Sequence, residues 1–484
     1  MHCSEFKIRR SVWAVGLAVV CVAGRARGQN NWIGGAGDWF DPANWSDGVP
    51  SLTNLNGTDL IPPGLGPAEL FSGTAVIGDL AVWGSLDVSG GTLVDTPLAH
   101  VRDPGGLATP PILPKGVFEV GSYPALTATV IQTGGIVYPD NYTGSGYEAY
   151  GLTRGLMVMD GGSYDLEAGT IIANAENLRG GTFLQNGGIN NIPGVPAPAT
   201  QVTPSGGLYV AFQSAYTFNG GTLTANGEFI GGNYGTSSFV QSGGINTVTG
   251  VNAPLTSNTG LVIGTSSGAA GIYSLSGGIL SANSEEIGYN GGSGAFMQTG
   301  GTNIAANLYL AGTLCTYTVV GGNLIVSGNV NIEAAQNTLT IQGGTAFVGS
   351  VNNSGTVAIS ASTGLNTHCN LTITGNYTQT FTASLTINLA GEPATGEFGI
   401  LSITGNAELD GTLNVESLNG FVPAIGDTYT FLTADNVAGT FADVSSPYPL
   451  QLNYTATGLS VTVLPEPTAV AVFAAAGLLL RRRR

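Results

Sequence analysis

The stretch Tyr216 to Gly250, YTFNGGTLTANGEFIGGNYGTSSFVQSGGINTVTG, limits what this chain can fold into more than any other. An aromatic residue opens a short alternating run, a Gly-Gly pair interrupts it, and another short run follows. The pattern recurs as Tyr273 to Gly288 (YSLSGGILSANSEEIG), and its partner half recurs as FLQNGGIN from Phe183, FVQSGGIN from Phe239 and FMQTGGTN from Phe296. Period-two alternation of β-branched and aromatic residues predicts strands, and glycine supplies the turns between them. Repeats of this length point to a stack of similar coils, because one unit alone has nothing to cover its apolar face.

The spacing gives the coil. Pairs beginning at Gly277, Gly300, Gly321 and Gly343 stand 23, 21 and 22 residues apart, which suits one turn of a right-handed parallel β-helix built from three short strands. Two unit types alternate. The form beginning at Tyr164, Tyr216 and Tyr273 recurs after 52 and 57 residues, and the form beginning at Phe183, Phe239 and Phe296 after 56 and 57, so the repeating unit is a double coil. Proline-containing insertions such as Asn191 to Pro204 and Val251 to Asn258 interrupt the Phe series; lacking ladder donors, they read as loops leaving the stack on one side. In such a stack the Tyr and Phe positions form an aromatic column, and Gln132, Gln185, Gln241 and Gln298 are candidates for an amide ladder. Glu176, Glu228 and Glu285 also recur once per double coil, about 10 Å apart at the usual strand spacing, too far to share a calcium ion. They read as solvated turn residues, with a cation-binding face as the alternative.

The basic residues are placed unevenly, mostly at the ends. Five basic residues lie in the first 27 positions, Arg481 to Arg484 close the chain, and no Lys or Arg occurs from Gly180 to Leu480. The segment from Gln29 to Val463 carries 28 acidic and 4 basic residues, a formal charge of −24. Nucleic acid is excluded as a partner, since phosphates require a basic footprint. Residues 1–28, with Lys7, Arg9 and Arg10 before an apolar run and small residues after it, read as a signal peptide.

Residues 29–69 form a Trp-rich N-terminal cap, in which Trp32, Trp39 and Trp45 stand among turn residues. They read as a plug for the open end of the stack, with carbohydrate stacking as the alternative. The segment W-x-G-G-x-G-x-W…NW from Trp32 to Trp45 resembles the start of bacterial surface proteins with autotransporter-associated β-strand repeats. Residues 70–376 are the Gly-Gly repeat region. Residues 377–463 have longer strands and fewer Gly-Gly pairs, and the run GNAELDGTL followed by FVPAIGDTYTFLTADNVAGTF resembles the C-terminal end of the same class. This stretch reads as a C-terminal β-rich module: a closing sheet or the last coils in altered form.

Residues 464–484, LPEPTAVAVFAAAGLLLRRRR, combine Pro465, Glu466 and Pro467, thirteen apolar residues, and the cluster Arg481, Arg482, Arg483 and Arg484. A short apolar segment followed by basic residues is a membrane stop with its charges on the cytoplasmic side. The tail resembles the PEP-CTERM sorting signal of exported proteins in Gram-negative bacteria. That resemblance implies transient recognition by an exosortase-type membrane protease, contact with the membrane only through the tail before processing, and delivery to the cell surface or the exopolysaccharide matrix.

Catalytic chemistry has little to stand on. Lyases of β-helical fold need a basic proton acceptor, and glycosidases need two carboxylates about 5 to 10 Å apart. Only His368 offers a neutral-pH base in the stretch without Lys or Arg, and no zinc spacing or catalytic motif surrounds it. Glu285 and Glu286 are consecutive, so on a strand they face opposite sides. Cys315 and Cys369, 54 residues apart, read as buried thiols, since a disulfide needs Cα atoms within ~7 Å. The reading is an all-β, right-handed parallel β-helix, exported and non-catalytic, with an adhesive role and no metal or cofactor; the alternative is a polysaccharide-binding or polysaccharide-degrading β-helix protein.

Overall fold

The computed structural model describes residues 30–51, 59–78, 80–95, 117–121, 127–139, 155–194, 207–232, 234–250, 260–360 and 369–466. These residues are all-β. Strand follows strand in long parallel sheets, no α-helix occurs among the described residues, and a single 3-10 turn spans Pro42–Asn44.

One coil illustrates why the sequence folds this way. Ala215–Phe218 is its first strand, Thr222–Ala225 its second and Gly227–Ile230 its third. In the first two, alternate side chains are buried: Tyr216 and Phe218, then Leu223 and Ala225. The next coil repeats the path as Gly235–Gln241, Ile245–Val248 and Gly260–Ile263. Each strand pairs in parallel with its counterpart, Tyr216 opposite Phe239, Leu223 opposite Asn246 and Glu228 opposite Leu261. First strands make a 16-stranded sheet, and second and third strands together make a 28-stranded one. In the coils of Ile279–Ile287, Thr302–Leu310, Asn323–Ile332 and Thr345–Asn353 the second and third strands run together as one strand, and they separate again from Cys369–Ile373 and Tyr377–Gln379. This arrangement is consistent with a β-solenoid.

Glycine sets the corner between first and second strands. At Gly278 φ is +75°, and a Cβ there would strike the carbonyl oxygen of Gly244 in the coil below; at Gly277 it would strike that of Ser242. Each corner therefore rests on the one beneath with no room for a side chain. Corner N–H groups continue the ladder, Ile245 N to Gly221 O at 3.0 Å and Ile279 N to Gly244 O at 2.9 Å.

Four of the interruptions fall at the same place in the coil, while residues 361–368 fall between a first and a second strand. Residues 96–116, 140–154, 195–206 and 251–259 lie outside the described residues, but the strands flanking each are the second and third of a coil. Toward the C-terminus, Ser384–Leu389 pairs in parallel with Thr412–Ser417, which pairs with Asp443–Ser445. Among the described strands, the last pair, Leu450–Thr455 with Gly458–Val463, is an antiparallel hairpin, and Gly458–Val463 also lies antiparallel to Thr428–Thr433.

Candidate functional site

The tryptophan cluster closes the N-terminal end of the core. Trp32 and Trp39 are 0% exposed and Trp45 is 3% exposed. Trp45 meets Trp32 edge to face with centroids 5.3 Å apart and Trp39 at 4.8 Å, and its Nε1 donates to Trp39 O at 2.8 Å. No indole face is open to a sugar, so in this structure the cluster is not a stacking platform. The physical reason is area: three large rings gain most by covering an otherwise open coil.

Within the core, the aromatic column is continuous from Tyr164 through Phe183, Tyr216, Phe239, Tyr273 and Phe296 to Tyr317, with centroids 4.5 to 5.1 Å apart and ring planes within 13° of parallel. Tyr and Phe alternate because their surroundings alternate. The Tyr216 hydroxyl donates to Gln185 Oε1 at 2.8 Å and accepts from Asn190 Nδ2 at 3.2 Å, both in the preceding Phe-type coil. Asn190 Nδ2 also donates to Glu176 Oε2 at 3.0 Å, one coil further back. The same chain recurs as Gln241, Tyr273, Asn246 and Glu228, with distances of 2.6, 3.2 and 3.1 Å. A third copy joins Asn303 to Glu285 at 3.1 Å and to Tyr317 at 2.5 Å. Each copy ties three successive coils through side chains alone.

The glutamines do not form the expected amide ladder. In the register Gln185 is followed by Phe218, Gln241 and Leu275, so no glutamine lies against another. Each instead turns its amide N–H to a backbone carbonyl past the next corner, Gln185 to Thr222 O at 3.1 Å and Gln241 to Ile279 O at 2.9 Å.

The glutamates are the largest departure from expectation. Glu176, Glu228 and Glu285 are fully buried, neither solvated nor on a cation-binding surface. They alternate in register with Leu208, Leu261 and Leu308, so they occupy core positions of the third strand. Burial pushes the carboxyls of Glu176 and Glu228 up to about 8 and that of Glu285 up to about 7, against a smaller opposing effect from the asparagine donors. Arg179, on the same strand as Glu176, turns its guanidinium over the Phe212 ring, 5.7 Å from the centroid. The signal that would have placed the glutamates inside was the register itself, since a strand begins at Gly227, directly after the corner residue Asn226.

The remaining candidates are simple. Pro465 and Glu466 are exposed immediately after the last strand; Pro467, Arg481, Arg482, Arg483, Arg484, residues 1–28 and His368 lie outside the described residues. Cys315 and Cys369 are buried free thiols, and burial pushes Cys369 up to about 12. No group of three or more His, Cys, Asp and Glu placed to hold a metal occurs among the described residues. Comparison with known protein families and with curated proteins finds no match.

Proposed function

We propose that this chain is an exported, non-catalytic β-solenoid that serves as a cell-surface or extracellular-matrix component with an adhesive role. Its coils wind right-handed, and residues 377–463 form its closing module. The N-terminal 28 residues direct export, and residues 464–484 act as a PEP-CTERM-type signal read by an exosortase-type protease. One observation carries the reading: the Pro-Glu-Pro, apolar and Arg-cluster tail follows directly on a repeat body with no Lys or Arg after Arg179. The placement of Pro465 and Glu466 supports it, since both are exposed just beyond the terminal hairpin, where a protease can reach the tail without unfolding a coil. The non-catalytic part is supported by the recurring glutamates, whose carboxyls face the core and are closed to a polymeric substrate.

Localisation of the full chain against a chain lacking residues 464–484 tests this. The full chain reaches the exterior and the truncated one accumulates in the cell; identical destinations would refute the sorting role. Incubation with acidic polysaccharides yields no new reducing ends, and clear product would overturn the non-catalytic part.

A further inference from the structure

The recurring Glu and Asn residues leave a matched pair of polar atoms without partners. In all three copies Asn Nδ2 donates to Glu Oε2, while Glu Oε1 and Asn Oδ1 are buried and have no hydrogen-bond partner. Both orphans are acceptors if the carboxyl is ionised, and a buried acceptor without a donor is strongly destabilising. One proton per pair satisfies both, because a carboxylic acid supplies the O–H that the amide oxygen lacks.

We propose that Glu176, Glu228 and Glu285 are held as neutral carboxylic acids whose O–H groups donate to Oδ1 of Asn190, Asn246 and Asn303, making three two-bond latches between successive coils that open as the medium turns alkaline and the protons leave to solvent. Burial at each latch favours this state, and in the third copy it outweighs a hydrogen bond from Tyr317 to Glu285 that works the other way. Glu176 faces Tyr164 and Tyr216, Glu228 faces Tyr216 and Tyr273, and Glu285 faces Tyr273 and Tyr317. Burial and the neighbouring carboxyls push all four phenols well above their usual range, so they stay neutral. The strands above and below present leucines, Leu156 and Leu208 to Glu176, Leu208 and Leu261 to Glu228, Leu261 and Leu308 to Glu285. Among the described residues the cation on the same strand as Glu176, Arg179, has its guanidinium over the Phe212 ring, 5.7 Å from the centroid. Folding raises the affinity of these carboxyls for protons, so their contribution is full below the ordinary carboxylate range and is lost as pH rises through their folded values.

The test is urea unfolding of the full chain from about pH 5 to about pH 9, with the triple variant Glu176→Gln, Glu228→Gln, Glu285→Gln alongside. Glutamine presents N–H to the asparagine oxygen at every pH. The wild-type midpoint falls across this interval and the triple variant's falls much less, keeping only the share of other raised carboxyls such as Glu286, which burial and Glu333 push up to about 7; Glu228→Gln alone removes about a third of the difference between the two. A triple variant that keeps the wild-type slope overturns the proposal. Should the triple variant not fold, infrared spectra of the wild-type chain near pH 6 decide: a protonated-carboxyl band that weakens in Glu228→Gln supports the latches, and no such band refutes them.

Discussion

The alternation of Tyr and Phe along the core column makes a prediction that separates this structure from a generic aromatic stack. Tyr216 and Phe239 are neighbours in the column, 4.8 Å apart and nearly parallel. By area alone, Tyr216→Phe and Phe239→Tyr should be close to neutral. The polar surroundings say otherwise. Removing the Tyr216 hydroxyl leaves Gln185 Oε1 without its donor and takes one acceptor from Asn190 Nδ2. A buried group left unpaired in this way costs about 1–3 kcal/mol. The reverse change puts a hydroxyl where the preceding coil offers Phe218 and Leu223 instead of Gln and Asn, and an orphan hydroxyl there also costs about 1–3 kcal/mol. Equilibrium urea unfolding of the full chain, followed by near-ultraviolet circular dichroism, reads both. If either variant matches the wild type to within about 0.5 kcal/mol, the alternation is not set by the polar layer and the reasoning fails.

Three further outcomes follow from the structure. The carboxyl of Glu228 is raised from 4.5 to about 8, so its contribution is full below the unfolded value and is lost progressively as pH rises from there through the folded one; a thermal midpoint that is unchanged between about pH 5 and about pH 8 would contradict this. Gly278→Ala introduces a positive-φ alanine that also collides with Gly244 O and should destabilise by about 3 kcal/mol or more, whereas Gly268→Ala, at φ +84° with nothing within 4 Å, should cost only about 1–2 kcal/mol; denaturant midpoints compare the two. Trp39→Ala empties a buried position in the cap and should cost about 3–5 kcal/mol, with no separate loss of sugar binding in a glycan array.

Much of the fold was legible before the structure. Alternation predicted the strands, the Gly-Gly spacing the coil and the two unit types the double coil. What was not legible was which way particular polar side chains face. Glu228 stands two residues after Asn226, and turn and strand readings differ there by a single position, which reverses the side chain. Gln185 and Gln241 recur regularly enough to suggest a ladder, but their coils are not adjacent, since Phe218 comes between them. The tryptophans sit among Gly, Asp and Asn, a composition that also suits exposed turns; it is their place at the start of the stack, the ground for reading them as a plug, that goes with their burial. Within residues 377–463, Leu385 and Leu413 continue the parallel register at a core position that has been aliphatic since Leu339, and the departure comes only with the antiparallel pairing of Gly458–Val463.

The central claim is that a preassembled stack is delivered by the signals at its two ends. Intact-mass measurement of the protein recovered from outside its host cells tests this most directly. The account predicts a species that has lost both the N-terminal leader of about 28 residues and the segment from about residue 464 onward. Recovery of the full 484-residue mass, with Pro465, Glu466, Pro467 and the arginines still attached, would contradict it.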